Sequence, residues 1–251
     1  MAYGSFVLMR DLDFTINRGD VFIIMGGSGC GKSTLLRHLI GLKEPAKGDI
    51  LYEGRSFTQA SADEREGMLR SFGVMYQSGA LWSSLTLAEN VALPMEQYTR
   101  LDKDSIREIV SYKLALVGLS GFEDFYPAEI SGGMCKRAGI ARAMALDPDV
   151  LFLDEPSAGL DPLSAQRLDE LILHLRDSLG TTIVIVTHEL ASIFAIANNS
   201  VFLDVTTRTQ GATGDPKIMR ESCPNDSIRL FLNRGLSGDE INPLTTTGTP
   251  I

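Results

Sequence analysis

The sequence predicts an α/β fold: a sheet of buried strands carrying a ligand-binding loop, interrupted by an inserted helical region. Three observations predict it. Apolar runs at Val21–Met25, Phe72–Tyr76, Val150–Leu153 and Thr182–Thr187 have the length and residue content of buried strands, and an unbroken run such as Val150–Leu153 suits a parallel strand covered on both faces. A glycine-rich segment follows the first run and opens into a helical pattern. From about residue 78 to 146 the rhythm changes to helices with few strands.

Composition bounds the rest. A chain of 251 residues with 44% hydrophobic content suits one large domain, or one domain with an inserted subdomain. The net charge of −9 argues against a nucleic-acid groove or a polybasic membrane anchor. No apolar run approaches the ~18 residues that span a bilayer. Met1-Ala-Tyr-Gly4 lacks the charged start and apolar run of a signal peptide, so none is expected. Cys30, Cys135 and Cys223 form neither a metal nor a disulfide pattern and fit a reducing compartment.

In chain order, Asp11–Gly19 reads as a strand and turn with Phe14 and Ile16 on one face. Leu35–Ile40 reads as a helix stopped by Gly41, and Asp49–Tyr52 as a short strand ended by Glu53-Gly54. Ser61-Ala-Asp-Glu64 fits a capping box. Leu87–Val91 is helical, with Pro94 following. Asp102 is an N-cap for a helix over Lys103–Val117, and Gly118 ends it. Ser131-Gly132-Gly133 opens another helix. Asp161-Pro162 reads as N-cap and first helical residue of a helix ending at Gly180. A short helix around Ile193–Ala197, a last strand over Ser200–Asp204 and a closing helix over Ile228–Leu232 complete the core. Residues 236–251, rich in Gly, Pro and Thr, read as a flexible tail.

The first chemical site is Gly26, Gly27, Ser28, Gly29, Cys30, Gly31, Lys32 and Ser33, followed by Thr34. It fits G-x-x-x-x-G-K-[ST] between a strand and a helix, the context in which that motif binds phosphate. Glycines let successive N–H groups converge on an anion, and the helix beginning near Lys32 directs its positive dipole end there. Lys32 can reach the β- and γ-phosphates of a nucleotide, and the Ser33 hydroxyl can ligate Mg²⁺. Tyr3, upstream, either stacks on adenine or belongs to a frayed terminus. Cys30 reads first as a small loop residue.

The second site is Asp154-Glu155 at the end of an apolar strand. Two adjacent carboxylates there need positive charge nearby, and Mg²⁺ on a nucleotide supplies it. Asp154 is placed to hold the metal through its water shell, and Glu155 to orient or deprotonate an attacking water. Gln77 ends another strand, where α/β proteins bind ligands, and His188 ends a third.

These residues carry a resemblance. Gly26–Thr34, Gln77, Ile130-Ser-Gly-Gly-Met134, Leu153-Asp-Glu-Pro156, Ser157-Ala-Gly-Leu-Asp161 and His188 occur in the order of the Walker A motif, Q-loop, signature, Walker B motif, D-loop and switch histidine of the ABC-transporter ATPases. The resemblance covers roughly residues 3–235. It implies a P-loop NTPase core of ABC nucleotide-binding type, with an antiparallel β subdomain and an inserted helical subdomain. It also implies ATP hydrolysis with Mg²⁺. Two copies would sandwich two ATP molecules, each between the phosphate loop of one copy and Ser131, Gly132 and Gly133 of the other. His188 would contact the γ-phosphate, Gln77 would join Mg²⁺ ligation, and an integral permease would dock beside Gln77. Met134 stands where many ABC signatures carry Gln, which touches only secondary contacts.

Finer features, Gln77-Ser-Gly-Ala-Leu-Trp82, the Ser-Gly-Gly-Met signature followed by basic residues, and Ile228–Gly235, resemble the ATPases of Mla/Mce-type phospholipid transporters of bacterial envelopes. That implies a permease, an Mce-type substrate-binding protein and sometimes a small STAS-domain protein as partners, and a place on the cytoplasmic face of the inner membrane. Alternatives are the ATPase of an amino-acid or lipoprotein transporter, a soluble ABC ATPase acting on nucleic acid or ribosomes, and a regulatory nucleotide-binding module. Net charge opposes the soluble ATPase. The presence of both Glu155 and His188 opposes the regulatory module. Trp82 reads equally as core or as part of a permease groove, within an exposed apolar patch of Leu81, Trp82 and Leu85.

Overall fold

The computed structural model describes residues 1–4 and 6–234. The chain begins with a small antiparallel pair, β1 (Ala2–Tyr3) and β2 (Phe6–Val7). β3 (Val21–Gly26) leads through the glycine loop into α1 (Lys32–Leu39). A hairpin of β4 (Leu51–Tyr52) and β5 (Arg55–Ser56) follows, then α2 (Ala62–Leu69) and β6 (Phe72–Met75). The helical region holds α3 (Leu87–Tyr98), α4 (Lys103–Leu116) and α5 (Gly132–Ala143). The core resumes with β7 (Val150–Asp154), α6 (Pro162–Leu179), β8 (Thr182–Val186), α7 (Leu190–Ile196) and β9 (Asn199–Asp204). β10 (Thr209–Thr213), α8 (Pro216–Ser222) and α9 (Asp226–Asn233) close the described chain.

The main sheet has the order β10-β9-β3-β8-β7-β6. Every pairing is parallel except β10 with β9. Successive side chains of a strand face opposite sides, and here both sides are apolar. Ile23, Met25, Leu151, Leu153, Ile183 and Ile185 pack into one core with α3–α6. Phe22, Ile24, Phe152, Val184 and Val186 pack into a second core with α1. That double cover is why the strands read as unbroken apolar runs. The register aligns Ile24 with Val186 and Val186 with Asp154, so the C-terminal ends of β3, β8 and β7 share one edge of the sheet.

Local rules account for the helix starts. Ser61 and Thr86 each form a full capping box, with Glu64 and Glu89 respectively. Asp102 and Asp161 cap α4 and α6 through carboxylate bonds to backbone N–H groups.

Several sequence expectations need correction. Asp11–Gly19 forms no strand. It runs as an irregular segment whose Phe14 stacks on Phe22 at 5.5 Å and whose Ile16 packs on the second core, so packing holds it without a ladder. α3 continues through Pro94 to Tyr98. Burial of Val91 and Met95 outweighs the roughly 3 kcal/mol that an internal proline costs. β10 and α8 were not foreseen. β10 contains Gly211 and alternating polar residues, which hide an edge strand from a pattern search. The expected tail lies outside the described residues.

Candidate nucleotide site

Gly26 ends β3 at φ 147°. A Cβ there would sit 2.5 Å from the Leu203 carbonyl oxygen, so only glycine fits the turn from strand to loop. Within the loop, Ser28 and Gly29 are exposed while Cys30 is buried, so the Cys30 side chain packs inward. Burial also pushes its thiol pKa up. Lys32 Nζ donates to the carbonyls of Gly26 and Gly27, each at 3.1 Å. The ammonium thus lies folded over the loop mouth, where an incoming phosphate could take it from the carbonyls. Thr34 lies in the first turn of α1.

Across the sheet edge, Ser33 Oγ donates to Asp154 Oδ1 at 3.2 Å. Burial pushes the Asp154 carboxyl upward, helped by Glu155, while Ser33, Arg37 and Lys32 pull it down. The next residue, Glu155, adopts φ 50°, a left-handed conformation that is strained for a side-chain-bearing residue. Its Oε1 accepts from His188 Nδ1 at 2.8 Å. Its Oε2 is buried with no hydrogen-bond partner among the described residues. A strained, buried carboxylate with one oxygen held by His188 and the other left without a partner suits proton abstraction once a water reaches it.

Gln77 lies exposed two residues beyond Met75, and Met75 pairs in parallel with Leu153. It therefore leaves the same sheet edge as Glu155. Ser131 caps α5 by accepting from Met134 N at 3.2 Å. Ser131 and Gly132 are exposed, and Gly133 is partly so. Among the described residues the Ser131 side chain is bonded to Met134 N within its own helix and not to the phosphate loop, so its exposed face is accessible to a ligand. The side chain of Tyr3 lies outside the described residues. Trp82 is 63% exposed, which excludes the core reading, whereas Leu81 and Leu85 are half-buried.

Two residues escaped sequence reasoning. Arg142 on α5 donates to the carbonyls of Gly79 and Ala80, at 3.0 and 2.8 Å, and so fixes the loop after Gln77. Lys136 on α5 is buried and donates to the carbonyl of Ala158. The only sequence signal for either was a basic residue on a helix whose neighbours are apolar.

The oxygen-rich pair of Ser33 and Asp154 suits a hard divalent cation such as Mg²⁺. Among the described residues no group of three or more His, Cys, Asp or Glu side chains could hold a metal. A cation here would depend on the phosphate oxygens of a bound nucleotide.

Residues 9–158 match the ABC transporter family. This chain belongs to that family. The ABC chain is 39% identical over 243 residues to the probable ribonucleotide transport ATP-binding protein mkl of Mycobacterium tuberculosis, covering 97% of this chain and 66% of that protein. It thus spans just under two thirds of the mycobacterial relative. It is 35% identical over 230 residues to the intermembrane phospholipid transport system ATP-binding protein MlaF of Escherichia coli K12, covering 92% of this chain and 84% of the relative. Among solved structures, the ATP-binding cassette MJ0796, a dimer bound to ADP and Pi, superposes with a TM-score of 0.74 at 27% identity, over 83% of this chain and 90% of that one. The fold is that of an ABC ATPase cassette: a mixed sheet dominated by parallel strands, separate antiparallel strand pairs and a helical region.

Proposed function

We propose that this chain is the ATP-hydrolysing, energy-coupling subunit of a membrane transporter that moves phospholipids across the bacterial cell envelope. The observation that carries the catalytic part is the Glu155–His188 contact at 2.8 Å, beside the Ser33–Asp154 pair on the same sheet edge. In this reading residues 1–235 are the ABC domain, about 78–146 its helical subdomain, and 236–251 a tail.

The loop residues Gly26–Thr34, through their N–H groups and the Lys32 ammonium, hold the phosphates, and Tyr3 stacks on adenine. Ser33, Asp154 and Gln77 hold Mg²⁺, which neutralises phosphate charge when bound. Glu155 takes the proton of the attacking water, and His188 contacts the γ-phosphate, holds the water in line and orients the Glu155 carboxylate. Ser131, Gly132 and Gly133 close over the nucleotide of a second copy. Support for this sandwich comes from their exposure at a helix start and from the likeness to a dimeric cassette bound to ADP and Pi.

No helix among the described residues is long and apolar enough to cross a membrane; in this reading an integral permease carries the cargo. A cleft of about 290 Å³ between α2, β6, α3 and α5, lined by Leu69, Phe72, Pro94, Tyr98 and Leu146 among others, offers an apolar seat for a permease helix. An Mce-type protein and a STAS-domain protein complete the proposed assembly, peripheral to the cytoplasmic face of the inner membrane. The phospholipid cargo rests on the likeness to MlaF, and the mycobacterial relative's name favours ribonucleotide as the second reading. The test is the complex purified with its permease: ATP-dependent movement of labelled phospholipid between vesicles supports the proposal, and movement of ribonucleotide instead overturns the cargo.

A further inference from the structure

We propose that Lys136 is a positioning residue. It ties the helix start at Ser131 to the backbone of Glu155, so that nucleotide held by Ser131 in one site sets the base in the other. This rests on the ATP-sandwich reading above.

Lys136 lies five residues after Ser131, about 7.5 Å along α5, and only 7% of it is exposed. Its Nζ donates to the Ala158 carbonyl and makes a longer contact, 3.5 Å, with the Glu155 carbonyl. Those two oxygens bracket the turn that follows β7, and the same turn closes on itself through Ala158 N to Glu155 O at 3.3 Å. Lys136 therefore pins the turn that carries the strained Glu155 backbone.

An ammonium this deep is costly unless something uses it. Among the described residues no carboxylate is bonded to it. The nearest anionic influences are Glu155 and Glu189, one the proposed base and the other the cap residue of α7, adjacent to His188. A methionine would fill the same volume without that cost. The charge thus serves position: its two carbonyl contacts fix where Glu155 sits relative to α5, and α5 begins with the residues that would touch the partner's nucleotide. Movement of α5 toward a partner's ATP carries the Glu155 turn with it. Each chain would then report the nucleotide of one site to the base of the other.

The experiment compares wild-type, Lys136→Met, Lys136→Gln and Lys136→Arg full-length chains for MgATP hydrolysis, normalised to bound nucleotide. Melting curves accompany each, and Glu155→Gln serves as a dimer control in size-exclusion chromatography. Lys136→Met is expected to lower kcat by about 10–10²-fold, the scale of a misplaced catalytic group. Half-saturating MgATP should stay within about threefold, and the Hill coefficient should fall from the wild-type value, expected between 1 and the two-site ceiling of about 2, to about 1. Lys136→Arg should recover most of kcat and the cooperativity. A loss of folded protein would not move the Hill coefficient. Should Lys136→Met unfold, Gln and Arg decide: Arg near wild-type with Gln impaired and non-cooperative supports the tie, while equal loss with unchanged cooperativity overturns it. A Glu155→Gln chain that never dimerises with MgATP removes the sandwich reading and the tie with it. A Glu155→Gln dimer alongside wild-type kcat and cooperativity in Lys136→Met overturns the tie alone.

Discussion

His188 Nδ1 and Glu155 Oε1 lie 2.8 Å apart, joining the segment after β8 to the residue after β7. The two side chains form a unit, so their substitutions should not add. Glu155→Gln is nearly isosteric and should lower the hydrolysis rate by about 10²–10⁴-fold while ATP still binds. His188→Ala should lower it less. The double variant should be no more than a few-fold worse than Glu155→Gln alone. Phosphate-release assays on all three check this, and fully additive losses would mean the residues act separately.

Among the described residues Lys32 is hydrogen-bonded only to loop carbonyls, and it belongs to neither apolar core. Lys32→Ala should abolish nucleotide binding and turnover while leaving the melting temperature within a few degrees of wild type. Binding of a fluorescent ATP analogue read beside a melting curve tests it; near wild-type turnover would remove the phosphate-loop assignment.

Trp82 is held by its backbone. Its N–H donates to Asn90 Oδ1 at 2.8 Å and its carbonyl accepts from Asn90 Nδ2 at 3.1 Å. The ring is left in solvent, so Trp82→Glu should fold normally and keep basal ATP hydrolysis. Transport by the reconstituted complex should fall at least several-fold, because an exposed aromatic side chain beside the loop following Gln77 is a contact surface rather than core. Parallel assays of transport and uncoupled hydrolysis distinguish the outcomes, and equal loss of both would refute the docking role.

Asp169 is buried on α6, and burial pushes its carboxyl up to about 6; Glu170 and Glu189 also raise it, while a hydrogen bond with Ser192 pulls it down. A folded-state value above the unfolded one, near 3.9, means that protonation favours the fold. Its stabilising contribution is complete below about pH 4 and is lost as pH rises through about 6. Asp169→Asn should therefore raise stability at pH 7.5, on the order of 2 kcal/mol. The gain should shrink toward zero near pH 4. Urea midpoints at pH 7.5, 6 and 4.5 check the sign, and a gain independent of pH would refute the titration.

Much of the candidate site is legible in the sequence. The phosphate loop, Asp154-Glu155, Gln77, Ser131 and His188 each sit at the end of an element whose periodicity and caps are local, so short-range chemistry displayed them. Asp11–Gly19 has the pattern of a strand but no ladder partner, and a ladder is a long-range fact. Pro94 marks a helix end by propensity, but the burial of Val91 and Met95, a tertiary fact, carries the helix through it. β10 was hidden because it lies at a sheet edge, where no core imposes an apolar pattern.

The sequence by itself determined the family, the order of the motifs and the buried strands, because covering both faces of a parallel sheet demands unbroken apolar runs wherever such strands occur. Only the tertiary structure decided that Ser33 meets Asp154, that Glu155 meets His188 and that Trp82 faces solvent. It alone brought Lys136 beneath the turn after β7. Those contacts join residues 19 to 121 positions apart, and parallel register, not any local pattern, sets which strand ends meet.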